Sequence, residues 1–332
     1  MEKPRLLEMD LMRVLALALV IFQHCWSGIG LDAPARAFSC HGYSALIYGV
    51  PLFVMISGFF QLSAATLPVG AFLKKRFTRL LLPFFLWMTV VYILSVLMHK
   101  YDDVQTVGDA FRLYVPYFVG NRVNDAFWYV YMLSGLYLIT PVLQRALAAP
   151  DRKRLLEYCQ ILWVLLVVLG DFLPQFTFFQ LFPVAGRFVG YYLAGYYIGT
   201  YLKDKACIRW IGAAGLAVSF ALNVALKYAG HSFFILEMGE VVSLFLLVGS
   251  FRPADSPASR LLTRISRYSY TIYLTHFVLI RLFYTALPGL FPQHWATPLY
   301  AVALVLACET VFCFILERLH IPGKWTGIAG RA

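Results

Sequence analysis

The chain has 332 residues, 61% of them apolar and only 14% charged, with a mean hydropathy of +0.71. That composition excludes an ordinary soluble domain, which needs far more polar surface to face water. The net charge of +11 raises the question of nucleic acid, and the placement of the basic residues relative to the apolar runs answers it.

Apolar stretches near twenty residues long, enough to cross a hydrocarbon layer about 30 Å thick, recur from end to end. Spans are expected near residues 9–29, 42–64, 78–98, 126–147, 155–173, 183–202, 208–227, 234–251, 268–287 and 296–317. The runs are too long for barrel strands and lack their alternation of apolar and polar residues. The expected fold is therefore all-α, a polytopic transmembrane bundle read as one domain over 1–332, without internal repeat or linker. With these spans drawn, most of the Lys and Arg residues gather on one side: Lys3 and Arg5, Lys74 to Arg79, Arg145 to Arg154, Lys203 to Arg209, Arg252 to Arg267, and Arg318 to Arg331. The other side holds Arg36, Lys100, Arg112, Arg122 and Lys227. The positive-inside rule then puts both termini in the cytoplasm of a protein of the plasma (inner) membrane, and the basic charge serves topology rather than nucleic acid.

The first span carries Arg13 and His24, and intramembrane ionisable groups are functional candidates by default. At 100° per residue their separation brings them within about 20° of one helix face, with about 16.5 Å of axial rise between them. A long molecule with an anionic head, entering from the cytoplasm, would touch both; coenzyme A has that shape. The guanidinium suits its phosphates, and a neutral imidazole farther along suits a general base toward a hydroxyl. Taken singly, Arg13 reads as a snorkelling anchor and His24 as a packing residue; sharing one face favours function. A cleavable signal ending near Ala33-Pro34-Ala35 is the competing reading, but Arg13 and Gln23-His24 interrupt the run in a way an export signal does not need. Cys25 and Cys40 are the only cysteines expected to meet an oxidising compartment, and neither a disulfide nor a metal site is expected.

In the second span Ser57-Gly58 reads as a close-packing pair rather than a nucleophile. Arg76 and Arg79, neighbours on a helix that opens the third span beside Lys75, are candidates for the donor's phosphates, although the positive-inside rule alone would place cations there. The connection near 99–125, with Asp102, Asp103, Asp109 and Asp125, is read as either an acceptor-facing lid or a solvated loop. Trp128 and several tyrosines offer stacking faces for sugar rings, as interfacial belts also do. Arg187 and Arg281 would suit a phosphate or acidic sugar, with snorkelling as the alternative. Glu237 and Glu240 form a costly pair in the eighth span, suited to orienting His24, activating an acceptor, binding a cation together or relaying protons, with a place in the exoplasmic interface as the alternative for Glu237. His276 is either a substrate contact or a buried structural hydrogen bond.

These residues resemble the acyltransferase family 3 membrane enzymes, which O-acylate surface glycans. Asp10-Leu11-Met12-Arg13 through Phe22-Gln23-His24 fits that family's signature of Arg, ten residues and His. Pro51-Leu52-Phe53-Val54-Met55-Ile56-Ser57-Gly58-Phe59 is similar to its second-span segment, with Val54 where a second Phe is usual. Arg76-Phe77-Thr78-Arg79 matches its Arg-x-x-Arg element, while Phe127-Trp128-Tyr129, Leu136 to Pro141 and Tyr270 to His276 are similar to weaker landmarks. The resemblance runs over nearly the whole chain in order. It implies transfer of an acyl group, most often acetyl from acetyl-CoA as co-substrate, to an acceptor beyond the membrane, with His24 catalytic and Arg13, Arg76 and Arg79 serving the donor. A transporter or flippase for a lipid-linked glycan, whose path the intramembrane charges would line, is the alternative from another class.

Overall fold

The computed structural model describes residues 5–27, 48–173, 177–292, 294 and 296–330, with the side chains of 177–186 also outside the description. Arg36, Cys40 and the Ala33-Pro34-Ala35 segment lie outside the described residues. Every regular element described is helical.

In chain order the helices are α1 (Leu7–Ser27), α2 (Gly49–Leu62), α3 (Val69–Leu97), α4 (Val107–Val119), α5 (Trp128–Ala146), α6 (Arg152–Phe172), α7 (Thr177–Tyr197), α8 (Ile208–Tyr228), α9 (Phe234–Gly249), α10 (Pro257–Ala286), α11 (Thr297–Arg318) and the short α12 (Gly323–Thr326). Ten of them overlap the apolar runs from which spans were expected, as helices. Among the described residues six helices are long and apolar enough to cross a membrane: α1, α3, α5 with the turn before it, α6, α8 and α11.

α3 starts at Val69, well before the expected 78, and α10 at Pro257 rather than 268. The reason is physical: charged residues end a hydrophobic run but do not end a helix, because Lys and Arg are good helix formers. The connection near 99–125 is likewise more than a loop. Thr106 and Asp109 form a reciprocal capping box that starts α4, the Thr106 hydroxyl accepting from the Asp109 N–H at 3.1 Å and the Asp109 carboxylate accepting from the Thr106 N–H at 3.1 Å. The inner face of α4 packs aromatic rings on α3, including Phe118 stacked on Phe85 and edge-on pairing of Tyr114 with Tyr92. Its outer face carries Val107, Phe111, Val115 and Val119, all more than half exposed.

The helices divide into two compact units, one of Met1–Thr66, Thr140–Ser266 and Gln293–Tyr300, the other of Leu67–Ile139, Arg267–Pro292 and Ala301–Ala332. In the first, α2 crosses α7 at backbone contact: a Cβ on Gly58 would lie 1.8 Å from the Tyr192 carbonyl oxygen, and one on Gly195 2.0 Å from that of Met55. Small residues at such a crossing let two helices gain dispersion contact where lipid offers no hydrophobic drive, so Gly58 packs as the sequence indicated. In the second unit the run Tyr270 to His276 forms a spine of hydrogen bonds. Tyr270 donates to the Leu80 carbonyl at 2.6 Å, Thr271 to that of Thr326 at 3.0 Å, Tyr273 to that of Ala126, and Thr275 to the Glu309 carboxylate at 2.6 Å. The first three bonds satisfy backbone groups that lipid would leave unpaired.

Candidate active site

The candidate site in the first unit is built on α1. At its start Asp10, 1% exposed, gathers four partners. Arg5 binds it through Nε at 2.6 Å and Nη2 at 3.2 Å, Arg13 through Nη1 at 3.3 Å, Ser266 through its hydroxyl at 2.6 Å and Thr263 through its hydroxyl at 3.2 Å. A carboxylate in the first turn is also favoured by the helix dipole. The Arg13 guanidinium lies 4.7 Å above the Phe60 ring, so it is held between an anion and an aromatic face rather than left to wander. Beside it the buried Glu8 draws Lys203 and Arg252 to 3.9 and 4.0 Å. This end of the unit is thus a basic cluster organised by two buried carboxylates.

α9 runs antiparallel to α1, as its C-terminal contacts show: Arg252 reaches Glu8, and Gly249 faces the Met12 side chain. Counting back at 1.5 Å per residue, Glu240 sits about 13.5 Å above Gly249 and Glu237 about 18 Å, while His24 sits about 18 Å above Met12. Both glutamates therefore lie within about one helical turn of the level of His24. Glu240 is fully buried, and its Oε1 accepts from the Asn223 amide at 3.0 Å. The Tyr48 hydroxyl is turned toward the same carboxylate. His24 is half-buried. Glu237 is paired with Lys227 at 3.2 Å. The Arg187 guanidinium covers the Phe234 ring at 3.6 Å, and the Asp171 carboxylate caps α9 by accepting from the Phe234 and Ile235 N–H groups at 3.0 and 2.7 Å.

Lys75, Arg76 and Arg79 lie on α3 of the second unit, Lys75 and Arg79 exposed and Arg76 half-buried against Phe72 at 5.5 Å. Because α3 begins at Val69, the arginines sit beyond its first turn, and the dipole argument for phosphate at that helix start does not apply to them. Trp128 opens α5 and is 40% exposed. His276 is completely buried, its Nδ1 2.7 Å from the Tyr273 carbonyl. That contact assigns the ring proton to Nδ1 and suits a structural role better than contact with a diffusing substrate.

A family model described as an acyltransferase domain, acyltransferase 3, matches residues 6–318. The chain belongs to the acyltransferase 3 family. Comparison with curated proteins and with solved structures gives no match. As a membrane acyltransferase, the protein has chemistry that needs an acyl donor and an acceptor. Sequence reasoning passed over several polar groups of this acyltransferase: Asp10 except as part of a motif, the capping Asp171, and Glu309, which is 3% exposed with Thr275 bonded to it. Glu309 had a usable signal, an acid in the middle of an apolar run. Asp10 and Asp171 had none, since their roles depend on helices distant in sequence.

Proposed function

We propose that this acyltransferase takes an acyl group, acetyl as the first candidate, from cytoplasmic acyl-CoA and delivers it to a hydroxyl of a surface or lipid-linked glycan. The observation that carries the reading is α1 itself, with Arg13 fixed by Asp10 and Phe60 at one end and His24 near the level of Glu240 toward the other. Arg13 meets the donor's phosphates, and the same reading assigns Lys75, Arg76 and Arg79 to the donor. The thioester lies toward His24, whose imidazole takes the proton of the acceptor hydroxyl as its oxygen attacks the thioester carbonyl. The C–S bond breaks, and the departing CoA thiolate takes up the proton from the imidazolium. Glu240 stabilises the imidazolium that forms in passing. Trp128, Arg187, Glu237 and His276 are assigned by the same reading to the acceptor side, Arg187 and Glu237 belonging to the same unit as His24.

The test is CoA release by purified protein in lipid, with acetyl-CoA and glycan extracts. Wild type should release CoA only with acceptor present, His24→Ala should release none, and Arg13→Ala should raise the KM for the donor. Glu240→Gln keeps an acceptor for Asn223 and should lower kcat by about a hundredfold while the protein remains folded. Undiminished turnover in His24→Ala would refute the mechanism. Absence of both acyl-CoA binding and CoA release in wild type would refute the acyl-CoA reading.

A further inference from the structure

A cleft in the second unit, open to solvent, has Ser95, Lys100, Asn124 and Arg281 among its lining residues. Two cations therefore face a space that holds no carboxylate among its lining residues. The Lys100 ammonium donates to the Val123 carbonyl at 3.1 Å, which leaves two of its protons for another acceptor. No ion pair to Arg281 is found among the described residues. Burial, and after it the charge of Arg281, pushes the Lys100 ammonium below the ordinary lysine value, while the exposed Asp125 acts in the opposite direction.

Asn124 identifies the missing partner. It is 1% exposed, and its Oδ1 accepts from the Ala126 N–H at 3.0 Å, capping the short helical turn Asp125–Phe127. That bond fixes the orientation of the amide, because only the oxygen can accept. The Nδ2 group then has no hydrogen-bond partner among the described residues, although the residue lines the cleft. A buried amide donor and two cations converging on one space lack an oxygen acceptor carrying negative charge.

The geometry points to an anion-binding subsite at Lys100, Asn124 and Arg281 that takes the phosphate or carboxylate of the acceptor. As an acceptor subsite it rests on the acyl-transfer reading; as an anion site it does not, so binding is tested without any acyl donor. The full chain in nonionic detergent is titrated calorimetrically with pyrophosphate and, separately, with glucuronate. Saturable binding of at least one is expected, weakened by about tenfold or more in Arg281→Gln and in Asn124→Asp. Asn124→Asp keeps the capping oxygen and replaces the donor by an anion; Arg281→Gln leaves the turn untouched, so a folding defect in one does not obscure the other. Arg122→Gln, an exposed cation of the same connection, should bind as wild type does. Preference for pyrophosphate supports a phosphate-bearing acceptor, and preference for glucuronate an acidic sugar. Loss of binding on moving the protein from phosphatidylcholine to phosphatidylglycerol nanodiscs would assign the cleft to a lipid headgroup and overturn the acceptor role. No saturable binding of either probe, or equal binding by wild type and Arg281→Gln, would overturn the site.

Discussion

Replacing Asp10 by Asn preserves shape and removes the charge on which the start of α1 is organised. The carboxylate is 1% exposed and accepts five hydrogen bonds from Arg5, Arg13, Thr263 and Ser266. Hydrogen bonds to a charged group contribute about 1.5–3 kcal/mol each, but the two arginine side chains are about 30% exposed and recover much of their loss from water, so their share is discounted. The hydroxyl of the buried Ser266 has no such recourse, and that of the half-buried Thr263 has it only in part. An asparagine oxygen still accepts from one of them, while its NH₂ opposes the arginines. The expected cost is about 3 kcal/mol, roughly a hundredfold in the folding equilibrium. Denaturant unfolding of the protein in mixed micelles measures it, with Ser266→Ala, expected to cost about 1 kcal/mol, completing a double-mutant cycle. The folded fraction of Asp10→Asn should also show a raised KM for acetyl-CoA with less change in kcat, because Arg13 loses its anchor. A cost below about 1 kcal/mol together with an unchanged KM would refute the claim that Asp10 holds this end of the site.

Gly58→Ala would put a methyl 1.8 Å from the Tyr192 carbonyl, a backbone atom that no rotamer change can move. It should cost more than about 3 kcal/mol or abolish monodisperse protein on gel filtration, whereas Gly70→Ala, with nothing within 4 Å, should be neutral or stabilising by about 0.5 kcal/mol. The Asp109 carboxyl is held below the ordinary carboxylate range chiefly by the Thr106 hydroxyl. A depressed value means that its contribution to α4 is present above the unfolded value of about 4 and fades as pH falls through the lower folded one. Hydrogen exchange of the first α4 amides should therefore quicken, relative to α5, as the medium is acidified below that range, and Thr106→Ala should remove most of the pH dependence.

The positions of ten helices were legible because hydrophobic length is written directly in the sequence. Their ends were not: α3 and α10 run on through Lys74, Lys75, Arg260 and Arg264, where hydropathy reports the end of the apolar run and the backbone does not. α4 was missed although Thr106 and Asp109 stood at capping-box spacing, because its thirteen residues fall short of a span and its acids suggest a loop. The Arg13–His24 stripe was legible from helical periodicity alone. The groups that fix it, Asp10, Ser266 and Thr263, become neighbours only when α10 packs near the start of α1. Asn124 illustrates the same limit, since an amide's unused donor can be recognised only after its oxygen has been placed.

The exposed stripe on α4 has a mechanical consequence. Val107, Phe111, Val115 and Val119 recur at four-residue intervals, giving a helix with one face against aromatic α3 and the other free to dip among acyl chains. A helix of this pattern suits the headgroup level, where it would act as a float, rising or sinking with the thickness and lateral pressure of the bilayer. Because Lys100 and Asn124 lie in the segments that flank α4, the composition of the surrounding lipid would then become a variable of the cleft itself.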